Sequence, residues 1–145
     1  MITHQFAYTP IQGVSGVTWN MPFVTLSLTY QEQMISVPAL VDSGSALNIL
    51  PYDYGLRLGL NWQAQTFPLD VGGLLNCPAY AVLLHAQIDP FSPVNLAFAW
   101  VAKPSQHVRT LLGQTNFFQE FDVLFSGMQQ VFEIGPKGAL IKPTR

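Results

Sequence analysis

The stretch Phe23-Val24-Thr25-Leu26-Ser27-Leu28-Thr29-Tyr30 alternates along most of its length and is rich in β-branched and aromatic residues. Successive side chains of a strand point to opposite faces, so this pattern folds as a half-buried strand rather than an amphipathic helix. Gln31-Glu32-Gln33 is a polar turn, and the apolar segment 34–41 pairs back on the first strand. Pro38 inside that segment marks an edge or an irregularity, because proline donates no ladder hydrogen bond. A chain carrying such a hairpin is committed to a sheet architecture.

The rest of the chain continues in the same manner. Residues 47–50 read as a third short strand, closed by Pro51. Residues 52–58 suit a short helical turn stopped by Gly59. Segments 67–71 and 74–81 form a hairpin about Gly72-Gly73, a pair that supplies the positive φ values of a tight turn. Two further strands, 80–88 and 94–102, flank the turn Asp89-Pro90-Phe91-Ser92-Pro93. Leu111-Leu112 is a short strand before Gly113. Residues 115–121 are the helix candidate, with Thr115 as N-cap. A last hairpin joins 122–125 to 130–134 about Ser126-Gly127. The first twenty residues and the tail read as irregular. The expected organisation is an N-terminal arm (1–21), one domain (22–134) and a C-terminal arm (135–145).

Composition narrows the function classes. Charged residues make up 10% of the 145, against about 25% in an ordinary soluble domain. A domain with too little charge to cover itself hides surface in an oligomer or a membrane. The longest apolar runs, 79–84 and 96–102, fall far short of the about 18 residues a spanning helix needs. The start has no basic region followed by a long apolar segment, so no secretory signal is read. The single cysteine, Cys77, forbids an internal disulfide and suits a reducing compartment; the expected location is the cytoplasm. The six basic residues form no stripe, which argues against nucleic acid. The histidines at 4, 85 and 107 form no ligand cluster, so no metal and no cofactor is expected.

The chemistry concentrates at Leu40-Val41-Asp42-Ser43-Gly44-Ser45. An aspartate at the end of an apolar strand is held rigidly. The small residue and glycine after it let a second backbone approach. By itself Asp-Ser-Gly is a common turn. Here it follows a two-strand hairpin, precedes a Gly-Gly hairpin, and is joined later by Leu111-Leu112-Gly113 before a helix. In that order and spacing the chain resembles the retropepsins, the retroviral and retrotransposon aspartic proteases, over about residues 22–134.

The resemblance implies an all-β, closed acid-protease barrel with one short C-terminal helix and one lobe per chain. It implies an aspartic endopeptidase with Asp42 as the catalytic group. Asp53, Asp70, Asp89 and Asp122 do not precede Ser/Thr-Gly. One chain therefore supplies half a site, and a homodimer supplies the whole. The partners expected are a second copy and a peptide or protein substrate, with no nucleic acid and no membrane. Ser43 would bond across the dimer axis, and Gly44 would offer its carbonyl to an extended substrate. Gly72 and Gly73, flanked by Val71 and Leu74, would close over that substrate as a flap. Leu40 and Leu111 match positions lining side-chain pockets, and Ala46 lies beside the motif as a further substrate contact. Viral members often carry an acidic residue and an arginine where Ala46 and Gln114 stand here, so the dimer would be held differently. The alternative is a retropepsin-fold dimer that binds peptides or proteins with little catalysis.

Overall fold

The computed structural model describes residues 2–73 and 76–141. In chain order the strands are β1 (His4–Ala7), β2 (Thr9–Gln12), β3 (Thr18–Met21), β4 (Phe23–Tyr30), β5 (Gln33–Val41) and β6 (Asn48–Leu50). Helix α1 (Tyr52–Arg57) follows, then β7 (Pro68–Val71), β8 (Cys77–Gln87), β9 (Val94–Val101) and β10 (Thr110–Leu112). Helix α2 (Phe117–Glu120), β11 (Phe121–Ser126) and β12 (Val131–Pro136) complete the order. Among the described residues no helix is long and apolar enough to cross a membrane.

Six strands close into a barrel in the order β4, β5, β10, β6, β9, β8, with β8 returning to β4 through Ser27–Thr29. Strand β7 hangs on the outer edge of β8. The β4–β5 hairpin is the one the alternation requires. Val24, Leu26 and Leu28 of β4 and Ile35, Val37 and Ala39 of β5 point inward, each at most 8% exposed. They pack with Leu84, Phe98 and Trp100 from β8 and β9. Burying each large apolar side chain contributes about 1.5–3 kcal/mol. That is why the period-two pattern, and not local propensity, sets the register.

Two joins in the ring are parallel: β10 lies along β5, and β6 lies along β9. Parallel neighbours cannot be linked by a tight turn, so the segments between them cross the end of the barrel. Those crossings bring residues 42–47 against residues 113–115.

Several sequence expectations need correction. The segments 74–81 and 80–88 are not two strands; β8 runs unbroken from Cys77 to Gln87. It needs that length because its first part pairs with β7 and its last part with β4, while β9 lies along its other edge. The first twenty residues are not irregular. Strand β1 pairs with β12, and β2 with β3. Phe6 stacks on Phe132 at 5.4 Å between centroids, burying an aromatic face that an arm would leave in water. Helix α2 is a single turn starting at Phe117, with Asn116 before it. Thr115 instead forms a parallel bridge with Leu47. Pro38 is not on an edge strand, since β5 lies between β4 and β10. It sits just before β10 begins to pair at Ala39, where its missing N–H breaks no ladder.

Candidate active site

Asp42 follows the last residue of β5 and is partly exposed. Its backbone N–H donates to the Leu112 carbonyl at 2.9 Å, so the end of β10 fixes it. Its carbonyl accepts from the Ser45 N–H at 3.1 Å, closing the turn. Its carboxylate Oδ1 accepts from the Gly44 N–H at 3.0 Å. A side chain at 44 would crowd that oxygen at 3.3 Å, which gives glycine a local reason there. Ser43 and Gly44 are exposed at the outer tip of the turn.

The turn is braced from behind by the segment after β10. The Gln114 N–H donates to the Ser45 carbonyl at 2.8 Å, and the Thr115 N–H to the Ala46 carbonyl at 2.9 Å. The Gln114 side chain reaches the Ser43 carbonyl at 2.8 Å. Gln114 therefore works inside the chain, where its side-chain amide holds the aspartate turn by a neutral hydrogen bond. At Gly113 a Cβ would collide with the Leu47 and Ser45 carbonyls, so only glycine lets the two segments pass this closely.

Beneath them lies Asn48, fully buried. Its Oδ1 accepts from the Gly113 N–H at 2.8 Å. Its Nδ2 donates to the Ala97 carbonyl at 2.9 Å and to Asn116 Oδ1 at 3.2 Å. Asn116 Oδ1 also accepts from the Ala97 N–H at 2.9 Å. The network ties β6, β9 and the turn after β10 into one support. Sequence reading passed over both asparagines. The available signal was a polar residue inside the apolar run 47–50.

Two clefts flank the Asp42 turn. The larger, about 690 Å³, is lined by Leu40, Asp42 and Leu111 together with the loop residues 105–109. The smaller, about 220 Å³, takes in Ala46, Leu47, Val71, Gly72 and Leu111. Leu111 lies opposite Leu40 on one side and Ile49 on the other, so it divides the two spaces. Leu40 is only 7% exposed and offers the cleft little more than an edge. Gly73 is exposed beyond Gly72, with φ at 71°, the left-handed conformation foreseen for this turn. Leu74 lies outside the described residues. The β7–β8 hairpin pairs Val71 with Cys77, so its connection is longer than the two glycines.

The loop 105–109 was missed as a cleft wall. Its signal is charge in a chain short of it: Lys103 and Arg109 are two of six basic residues, with His107 between them. Asp53 of α1 holds this loop. Its Oδ1 accepts from the Ser105 N–H and its Oδ2 from the Ser105 hydroxyl, both at 2.6 Å. Partial burial pushes the Asp53 pKa up. The two hydrogen bonds from Ser105 and the attraction of Arg57 outweigh it, leaving the carboxyl below its ordinary value. Among the described residues no group of three or more His, Cys, Asp or Glu is placed to hold a metal ion.

No protein-family model and no curated protein matches the chain. In three dimensions it is similar to a retropepsin-like aspartic protease from Rickettsia conorii, with a TM-score of 0.56 and 12% identity. The match covers 92% of this chain and 91% of that one. At that identity the likeness speaks for architecture: the chain has the fold of a retropepsin-like aspartic protease.

Proposed function

We propose that the protein is an aspartic endopeptidase, active as a homodimer, in which Asp42 from each copy forms the catalytic pair. The observation that carries this reading is the placement of Asp42. It stands partly exposed on a braced turn, beside two clefts that share Leu111 as an apolar divider. The likeness in fold supports it. Residues 22–134 would form the catalytic unit, with 1–21 and 135–145 contributing at its margins.

Two carboxylates about 3 Å apart, as in aspartic proteases generally, cannot both ionise and share one proton. The ionised one takes a proton from a water held between them. The protonated one donates a hydrogen bond to the scissile carbonyl. Attack by the water gives a tetrahedral diol, which collapses as the leaving amine is protonated. The substrate would lie as an extended strand, bonded to the Gly44 carbonyl. Leu40 and Leu111 would border the side-chain subsites, with Ala46 and Val71 beyond them. Gly72, Gly73 and Leu74 would close over the strand and exclude water. Ser43, exposed at the tip, would bond to its counterpart turn across the axis.

The test is incubation of the purified chain with mixed peptides from about pH 4 to pH 7, with and without a pepstatin-type inhibitor, beside Asp42→Ala. Inhibitor-sensitive cleavage lost in Asp42→Ala is the expected result. Cleavage that persists in the variant sinks the assignment, and no cleavage by a verified dimer leaves a peptide-binding module.

A further inference from the structure

We propose that the groove leading away from Asp42 contains a subsite for a negatively charged side chain of the bound peptide, recognised by Arg109. The inference rests on the peptide-binding reading above and names a feature of the substrate.

The loop that walls the larger cleft has a second face. Ser105, Val108 and Arg109 also line a cavity of about 400 Å³ between β2 and the outer side of β4. The two spaces meet at this loop. An extended chain advances about 3.3 Å per residue. Asp42 and Arg109 line the same larger cleft, so a peptide lying over Asp42 runs beside Arg109 within a few positions.

Arg109 is the charged residue in the lining of the second cavity; Thr9, Thr25, Tyr54, Ser105 and Thr110 are its polar companions. The guanidinium lies 5.8 Å from the Phe23 ring centroid. Arg109 is exposed, and the negative face of the ring biases its cation toward the junction. Among the described residues the recorded ion pair is Lys137 with Glu120, so no carboxylate answers Arg109. Asp53, behind the loop, is engaged by Ser105 and attracted by Arg57. Thr110, in the same wall and 1% exposed, has a hydroxyl without a hydrogen-bond partner. An exposed guanidinium resting against Phe23 without a counter-charge suits a carboxylate, which it can grip through two parallel N–H donors. Cut sites would then combine apolar residues at the centre with a Glu or Asp a few positions away.

The test uses the full-length chain carrying Asp42→Asn, which bars cleavage. Fluorescent peptides share an apolar central pair and carry Glu, Gln or Lys at each flanking position in turn. Anisotropy should show one position where Glu binds about tenfold more tightly than Gln. Arg109→Gln should erase that difference, and Arg109→Glu should turn it into a preference for Lys, a gain that misfolding cannot produce. Equal binding of Glu and Gln at every position, or a Glu preference that survives Arg109→Gln, overturns the proposal. Cleavage by the native chain without any acidic preference also overturns it, and leaves the endopeptidase reading standing. Arg109-dependent Glu binding without cleavage by the native chain sustains the subsite and removes the endopeptidase reading instead.

Discussion

Asn48 is fully buried, and its amide serves three partners: the Gly113 N–H, the Ala97 carbonyl and Asn116 Oδ1. Replacing it by leucine keeps the branched shape but leaves the Gly113 N–H and the Ala97 carbonyl without their partner. An unsatisfied buried group costs about 1–3 kcal/mol, so Asn48→Leu should lower the melting temperature by several degrees in a thermal denaturation scan. Asp42→Asn is a different kind of change. An amide oxygen can still accept the Gly44 N–H, so the fold should melt unchanged. Loss of the ionisable group should slow peptide hydrolysis by at least ~10²-fold, measured as kcat/KM. Asp42 was legible in the sequence because its neighbours are local: an apolar strand before it and Ser-Gly after it. Asn48 was legible only as a polar residue inside an apolar run; its role was not, because its donor partner, the Gly113 N–H, lies 65 positions away.

At the scale of elements, the loop 102–109 is clamped to α1 through Asp53 and Ser105. The folded-state pKa of Asp53 lies below its ordinary value of 3.8. A lowered carboxylate contributes stability that is fully present above the unfolded pKa and is lost as pH falls through the folded one. The melting-temperature advantage of the native chain over Asp53→Asn should therefore be constant at neutral pH and shrink only below about pH 4. Helix α1 has a second constraint. A Cβ at Gly55 would run into the Trp100 indole, whose N–H is tied to the Tyr52 carbonyl at 3.1 Å. Overpacking of this kind costs about 1–3 kcal/mol, so Gly55→Ala should destabilise although alanine favours helices; chemical denaturation reads the difference. The sequence identifies α1 and its stop at Gly59, where φ is 84°, because both are local. It does not show that Gly55 faces Trp100, nor that 77–87 is one strand, since both depend on distant partners.

At the scale of the whole molecule, the barrel closes within one chain but presents one Asp42 turn. A two-carboxylate site then requires a second copy. The mass in solution should be near twice 16.0 kDa at micromolar concentration, read by sedimentation, and activity per chain should fall on dilution as the dimer separates. Full activity in a strict monomer would contradict the half-site. The low charge of the chain agrees with hidden surface, and Val14, Trp19, Leu124 and Met128 stand exposed on the β2–β3 and β11–β12 hairpins. By itself, the sequence determined the β class, the first hairpin, the Asp42 turn and the approximate positions of the glycines beside it. These follow from side-chain periodicity and from backbone conformations that few residues adopt, and both are local properties. Tertiary structure alone decided the parallel joins, the Asn48 network, the brace that Gln114 gives the turn, and the meeting of the 105–109 loop with Asp42. Those depend on which distant segments a closed barrel brings together, and that is set by burial of the core as a whole.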